Sequence, residues 1–430
     1  MPTKPQHVHV IGAGLAGLSA ALNLVDRGIG VTVHEAGPRA GGRCRSYFDP
    51  VLDCVIDNGN HLMLSGNTDI AAYQKRIGAE GTLLGPDRAE IPFLDLETGE
   101  RWTFRPSPGR SPVWLFDKTA KAPGTGFWDY LKGLRLAKPG RTVSQAVGAT
   151  GQAYRRFWEP LAVGVLNTEP EAAEASLLWR VLMETIARGE AACRPRIAEK
   201  SLAESLIDPA VAALKAAGAE IRFSKRLRSL EGSSERVTAL HFSEEVVRLT
   251  EADAVLMAVP APVLAGLLGG ALADPPPLPT ETRAIVNLHF RLPEPRSAFR
   301  LQGLMGGHLL GLVGGVGQWI FLRDGLASVT VSAADDLASK PAEDIAALIW
   351  PEVARALDLK AENLPPFRVV KEKRATFAQT PEAIRLRPPP GPLQGLKNLI
   401  LSGDWTDTGL PATIEGSIRS GRLAVNAALQ

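Results

Sequence analysis

The run His7-Val8-His9-Val10-Ile11-Gly12-Ala13-Gly14-Leu15-Ala16-Gly17, followed by Val31-Thr32-Val33-His34-Glu35, decides the fold of this 430-residue chain. His7–Ile11 reads as a short apolar strand. Leu18, Ala21, Leu22 and Val25 recur on one face of a helix from Leu15 to about Asp26, and Gly28 and Gly30 end it. Residues 31–35 form the next strand, so a β-α-β unit closes within a short span. The three glycines of the loop play different parts. Gly12 makes the tight turn, Gly14 admits a pyrophosphate close to the backbone, and Gly17 lets helix and strand pack. Leu15 and Ala16 open the helix, whose unpaired N–H groups favour phosphate charge. Glu35, with Ala36 after it, stands where a ribose would present its hydroxyls. Glycine is common here, at 42 residues, so the Gly-x-Gly-x-x-Gly spacing alone is weak. Its position between strand and helix, with an acid ending the next strand, favours dinucleotide binding over a purely structural turn. The class is α/β, with a Rossmann-like domain.

Three further stretches bear on that ligand. Gly41-Gly42-Arg43 follows Glu35 closely, and a guanidinium beside open backbone suits two negative phosphates; a plain surface turn is the competing reading. Asp57-Asn58-Gly59-Asn60-His61 is a polar, glycine-containing turn. At the other end of the chain, Leu399-Ile400-Leu401-Ser402-Gly403-Asp404-Trp405 reads as a strand, and a helix runs to Leu429 after Thr413-Ile414-Glu415-Gly416. Between these lie a helix over 206–217, a strand at Glu220–Phe223, a hairpin over 224–242 that includes Leu227, and a buried strand at Asp253–Pro260. The dinucleotide domain is therefore expected from three pieces, 1–65, 200–265 and 395–430. The remainder, a mainly helical 66–199 and a strand-rich 266–394, forms the substrate side. Within it, glycines break Gly303–Leu322 into short strands, and the Asp324–Gly325 turn precedes another.

These motifs resemble the FAD-dependent amine oxidase and phytoene desaturase superfamily over essentially the whole chain. The resemblance implies FAD as the cofactor. It places Arg43 and the Gly41–Gly42 backbone at the pyrophosphate and Asn58, Gly59, Asn60 and His61 near the isoalloxazine. It puts the Asp404 carboxylate, after Gly403, at the ribityl hydroxyls, Leu227 at the adenine end, and Thr413, Ile414 and Gly416 at the helix end facing the flavin. More narrowly, residues 57–62, Gly403-Asp404-Trp405-Thr406 and Thr408–Gly416 resemble the bacterial hydroxysqualene dehydroxylase family. There Asn60 stands where Gln is expected, another amide. The implied reaction is reductive dehydroxylation of hydroxysqualene to squalene, in hopanoid synthesis. His61 is then the candidate proton donor or orienting group, provided its pKa stays near ~6.5. Leu309, Leu312, Trp319, Phe321 and Trp405 are candidates to line a tunnel for a long apolar isoprenoid; ordinary sheet core is the alternative for the strand residues. A desaturase or amine oxidase running hydride the other way, and a non-catalytic FAD-bearing scaffold, stay open.

Composition bounds the rest. The formal net charge of +2, with 22% charged residues, offers no excess of base to track a nucleic acid. Three cysteines without a Cys-x-x-Cys pair argue for a reducing, cytoplasmic setting, and no histidine spacing reads as a metal site. The uncharged stretches 254–273 and 301–322 are broken by proline or glycine and read as soluble elements rather than membrane spans. No second Gly-x-Gly-x-x-Gly offers a nicotinamide domain, so the electron donor is expected to be a reductase or NAD(P)H meeting the flavin directly. The oligomeric state is not legible. Val113-Trp114-Leu115-Phe116 and Phe127–Leu131, among Lys118, Lys121, Lys132, Arg135 and Lys138, suit either peripheral contact with an anionic membrane or a solvated basic face.

Overall fold

The computed structural model describes residues 4–233, 235–292, 308–323 and 325–430. The expected Gly-broken run at 303–307 and the Asp324 turn position lie outside the described residues. Strand β1 (His7–Ile11), helix α1 (Leu15–Val25) and strand β2 (Gly30–His34) form the β-α-β unit. Around it a six-stranded sheet runs in the order 220–222, β2, β1, 253–257, 399–401, 391–392, parallel except for its last pair. Distant parts of the chain thus meet in one sheet. Ile11 lies opposite both His34 and Met257, and Met257 opposite Leu401. Four strands therefore end along one edge, where Gly12, Glu35, Ala258 and Ser402 follow, and such an edge is where open α/β sheets bind ligands.

Alternation along the strands builds two cores. Val8, Val10, Leu256 and Ile400 face a layer containing α1 and the C-terminal helix Ile414–Ala428. Ile11, Val255, Met257 and Leu401 face the opposite layer, made of the hairpin strands Leu227–Gly232 and Val237–Phe242 and the helix Ala261–Gly269. The first and last helices are locked together, since Ser19 Oγ donates to the Ile418 carbonyl at 2.8 Å and Gly421 leaves no room for a Cβ against α1.

A seven-stranded sheet forms the second half, in the order 367–377, 282–291, 326–331, 319–323, 309–313, 91–95, 101–104. Two of its strands come from the stretch expected to be helical. Ile91–Asp95 pairs in parallel with Gly311–Val313, because a buried apolar run ends in Asp95, whose carboxylate accepts from the amides of Glu97 and Thr98 and turns the chain back. One face of this sheet is apolar. Val286, Leu288, Leu310, Leu312, Ile320 and Val329 on it pack beneath the helix Ala342–Ala356. The alternate residues of the same strands include Asn287, His289, Ser328, Thr330, Trp319 and Phe321. Asn287 and Thr330 of that face hydrogen-bond the 58–60 turn. No helix among the described residues is long and apolar enough to cross a membrane.

Candidate functional site

The cradle begins at the glycine loop. Gly12 has φ +105°, and a Cβ there would lie 2.6 Å from the Ala258 carbonyl; a Cβ on Gly17 would strike the Gly12 carbonyl. Both positions therefore require glycine for backbone reasons alone. Gly14 differs: nothing lies within 4 Å of its Cβ direction. It caps α1 without a side-chain hydrogen bond, so no side chain covers the helix N-terminus. The Gly41–Gly42 turn closes over this loop, with the Gly41 amide donating to the Ala13 carbonyl at 2.9 Å and a Gly42 Cβ reaching 3.4 Å from Gly14.

Glu35 sits just past β2 and ties two loops, accepting from the Ala13 amide at 2.8 Å and the Gly37 amide at 2.7 Å. Ala36 beside it is exposed. The segment leading to Leu227 binds the same corner, the Lys225 amide donating to the Glu35 carbonyl at 2.8 Å. Leu227 itself begins the hairpin, buried opposite Phe242.

Arg43 and Asp404, far apart in sequence, form a bidentate pair with both contacts at 2.8 Å. Burial alone would depress the guanidinium, but the Asp404 carboxylate outweighs it and holds Arg43 above its ordinary value. Arg43 also donates to the Ala375 carbonyl. Gly403 is fixed through its amide to Ser420 Oγ at 3.0 Å. Thr413 caps the C-terminal helix by accepting from the Gly416 amide at 3.0 Å, and Gly416 has no space for a side chain against the Pro411 carbonyl. Ile414 opens the helix and is buried in the first core.

The Asp57–His61 turn spans both halves. Asp57 accepts from Ser46 Oγ at 2.6 Å, the Leu202 amide at 2.9 Å and Arg323 at 2.9 Å. Asn287 then pins the turn. Its Oδ1 accepts from the Asn60 amide at 3.3 Å and from Thr330 Oγ1 at 2.8 Å, and the Asn60 side chain donates to Thr330 at 3.2 Å. A Cβ on Gly59 would press on the Asn287 amide at 3.1 Å. Asn58 donates to Glu372 at 3.1 Å while its buried Oδ1 has no protein partner. His61 lines a small cleft with Asp57, Asn60, Phe321, Arg323 and Ser328. Burial pushes its imidazole down to about 4, against the opposing pull of Asp57. The ring is therefore neutral near pH 7, which corrects the expectation of an imidazolium donor.

The apolar candidates divide. Phe321 lies in the His61 cleft. Trp319, on the same strand face, packs its ring 5.4 Å from Phe93, and Leu309 is buried. Leu312 is a correction: strand alternation turns it to the face beneath the helix Ala342–Ala356. Trp405 is another. Its indole donates to the Val259 carbonyl at 2.9 Å and it is 2% exposed, packed in the cluster with Met257 and Leu401. Sequence reading missed Asn287 and Thr330, although a lone Asn within Ile285-Val286-Asn287-Leu288 is a visible signal. It also missed Arg387, whose buried guanidinium donates to the carbonyls of Trp405, Thr406 and Leu410, and Gln379, whose Oε1 accepts from the Ala412 amide at 2.9 Å. Both hold the loop before the C-terminal helix in place.

An open glycine loop, an uncapped helix end, a buried unpartnered amide oxygen at Asn58 and a guanidinium at the strand edge are the donors and acceptors that a flavin dinucleotide needs. The model of the flavin containing amine oxidoreductase family matches residues 15–429. A hydroxysqualene dehydroxylase of Sinorhizobium fredii is 44% identical over 99% of both chains. One of Rhodopseudomonas palustris is 45% identical over 98% of both. The chain belongs to the flavin containing amine oxidoreductases and, within them, to the hydroxysqualene dehydroxylase family. Cyclohexylamine oxidase of Brevibacterium oxydans, 18% identical over 99% of each chain with a TM-score of 0.69, shares the fold. The protein is an FAD-dependent oxidoreductase.

Proposed function

We propose that this chain replaces the hydroxyl of hydroxysqualene by hydrogen, yielding squalene and water in squalene and hopanoid synthesis. End-to-end identity of 44–45% with two hydroxysqualene dehydroxylases carries the reading. The chemistry that FAD supplies when bound in its reduced form is hydride transfer to the allylic carbon. The balance also requires one proton, taken up by the departing hydroxyl. The chain must therefore hold the cofactor, seat a long apolar molecule, exclude water and present a proton.

Gly14, Gly41 and Gly42 would face the dinucleotide's phosphates in the loop that Gly12 and Gly17 shape, with Arg43 supplying the positive charge and Glu35 the ribose contact. Asp404, Asn58 and the Thr413–Gly416 helix end would hold the flavin half, and Leu227 the adenine end. Phe321, Trp319 and Leu309 would form the apolar wall. His61 is the positioning group for the leaving hydroxyl. With a pKa depressed to about 4, its neutral ring offers an N–H hydrogen bond rather than a charged acid. The electron donor is a reductase or NAD(P)H meeting the flavin directly, and the oily substrate comes from a bilayer.

The test is anaerobic. Reduce the bound flavin, add hydroxysqualene, and follow flavin absorbance and product. Flavin reoxidation with matching squalene is expected. A flavin that stays reduced with hydroxysqualene, in a protein whose oxidised flavin is reduced by an amine or a polyene, would replace this reading with an amine oxidase or a desaturase.

A further inference from the structure

The segment 110–138 turns in a regular way. In Val113–Phe116, Trp114 and Leu115 face inward while Val113 and Phe116 face out; in Phe127–Leu131, Tyr130 faces inward and Trp128 out. The inward rings form a tight aromatic base. Trp114 lies 5.0 Å from Tyr130 and 5.1 Å from Phe104, and Tyr130 lies 5.0 Å from Phe157. On that base Phe116 stacks on Phe127 at 4.9 Å, and Phe127 meets Trp128 at 5.3 Å. Phe116 is 71% and Trp128 76% exposed, with Leu134 close to them in exposure at 63%. Exposed aromatic rings gathered in one apolar patch mark an interaction surface.

The charge of this stretch of chain is one-sided. Residues 110–141 hold seven bases and two acids, in a chain whose net charge is only +2. Lys132 pairs with Asp129 at 3.4 Å. Lys121 is buried and donates to the Leu115 carbonyl, so it corrects the expectation of a surface base there. Arg110, Lys118, Arg135 and Lys138 are exposed with no acid pairing to them among the described residues. Unpaired exposed bases on the same stretch of chain as exposed aromatic rings match a negative surface with an apolar layer just beneath it.

We propose that this surface docks the enzyme on an anionic lipid leaflet, with Phe116 and Trp128 at the headgroup boundary and Arg110, Lys118, Arg135 and Lys138 against the lipid phosphates. The aromatic base beneath belongs to one apolar cluster that also holds Phe93 and Val313 and packs Trp319. That cluster reaches the strand assigned above to the substrate wall. Only this last link, to substrate delivery, rests on the proposed function; lipid binding does not.

The experiment uses the FAD-loaded protein and vesicles of phosphatidylglycerol and phosphatidylcholine, against vesicles of phosphatidylcholine alone. Co-sedimentation is expected with the anionic vesicles at low salt and is expected to fall by at least about tenfold in the Phe116→Ser/Trp128→Ser double variant. The Lys118→Glu/Arg135→Glu/Lys138→Glu variant should lose the salt-sensitive part of binding. Both should keep full flavin content and wild-type turnover of detergent-dispersed hydroxysqualene. Absence of wild-type binding to anionic vesicles, or variants that bind like wild type, would overturn the proposal. So would a concentration-dependent dimer that Phe116→Ser/Trp128→Ser dissolves without any lipid binding, since the patch would then cover itself. Lipid binding without hydroxysqualene turnover would instead sink the functional reading and leave the docking surface standing.

Discussion

The two sheets encode their roles differently. In the parallel sheet, strand-end residues have local steric reasons: Gly12 at φ +105°, Gly17 against a carbonyl, Glu35 one residue past its strand. In the seven-stranded sheet the role of a side chain depends on which face its strand turns inward. Leu310 and Leu312 face the helix-covered core, while Asn287, Trp319, Phe321 and Thr330 lie on the opposite face. In the proposed site the first sheet would hold the cofactor by backbone geometry, and the second would shape the substrate side by parity. Side-chain deletions should thus have separable consequences in the two.

The largest separation is expected from cofactor loss. Asp404→Ala strips Arg43 of its bidentate partner, and Glu35→Ala releases the Ala13 and Gly37 amides. Either variant should purify with roughly a tenth or less of the wild-type flavin, read from the ratio of flavin to protein absorbance. A fully yellow protein would break the assignment of that residue. Parity is tested next. Leu312→Ala should cost about 2–5 kcal/mol of stability in a urea titration while leaving KM near wild type. Phe321→Ala should do the reverse, raising KM with a smaller stability loss. Equal effects of the two on KM would erase the distinction between the faces.

Acid stability sharpens the first sheet. Burial pushes His34 down to a pKa of about 3, and the ring lies 3.2 Å from His9, itself lowered to about 4. Because the unfolded chain takes up these protons near pH 6.5 and the folded one does not, stability falls as pH drops from about 6.5 toward 4. For His34 alone the loss at pH 5 is about 2 kcal/mol. His34→Leu should flatten that decline; an unchanged slope would remove His34 as its source. The smallest effect concerns His61. His61→Ala should keep its flavin and lose about tenfold in turnover, near 1.4 kcal/mol. The wild-type rate should show no His61 ionisation between about pH 5.5 and 8. An inflection near ~6.5 that vanishes in His61→Gln would restore a charged donor.

Much of the fold was readable because its signals are local. The β-α-β unit, the 253–257 strand, the 399–401 strand and the glycine-separated strands at 309–313 and 319–323 all follow from short-range pattern. Ile91–Asp95 was harder, because its parallel partner at 311–313 lies far along the chain, and Arg101–Phe104 joins the sheet only through it. In the site, Glu35, Arg43 and Asp404 stood out as polar groups ending strands or glycine turns. The depressed pKa of His61 did not, because burial is a property of the assembled molecule. Leu312 and Trp405 were misread for the same reason. A large apolar residue beside a functional motif looks identical in sequence whether it faces a ligand or a core, and only the Val259 carbonyl under the Trp405 indole decides between them.

In the proposed reaction the site delivers hydride to an isoprenoid carbon rather than removing it. The direct measurement is one anaerobic turnover in D2O, with the bound flavin reduced beforehand and its N5 hydrogen exchanged. Squalene carrying one deuterium at the former carbinol carbon, formed in step with flavin reoxidation, is the predicted result. Unlabelled squalene, or hydroxysqualene recovered unchanged beside a flavin that stays reduced, would contradict the account.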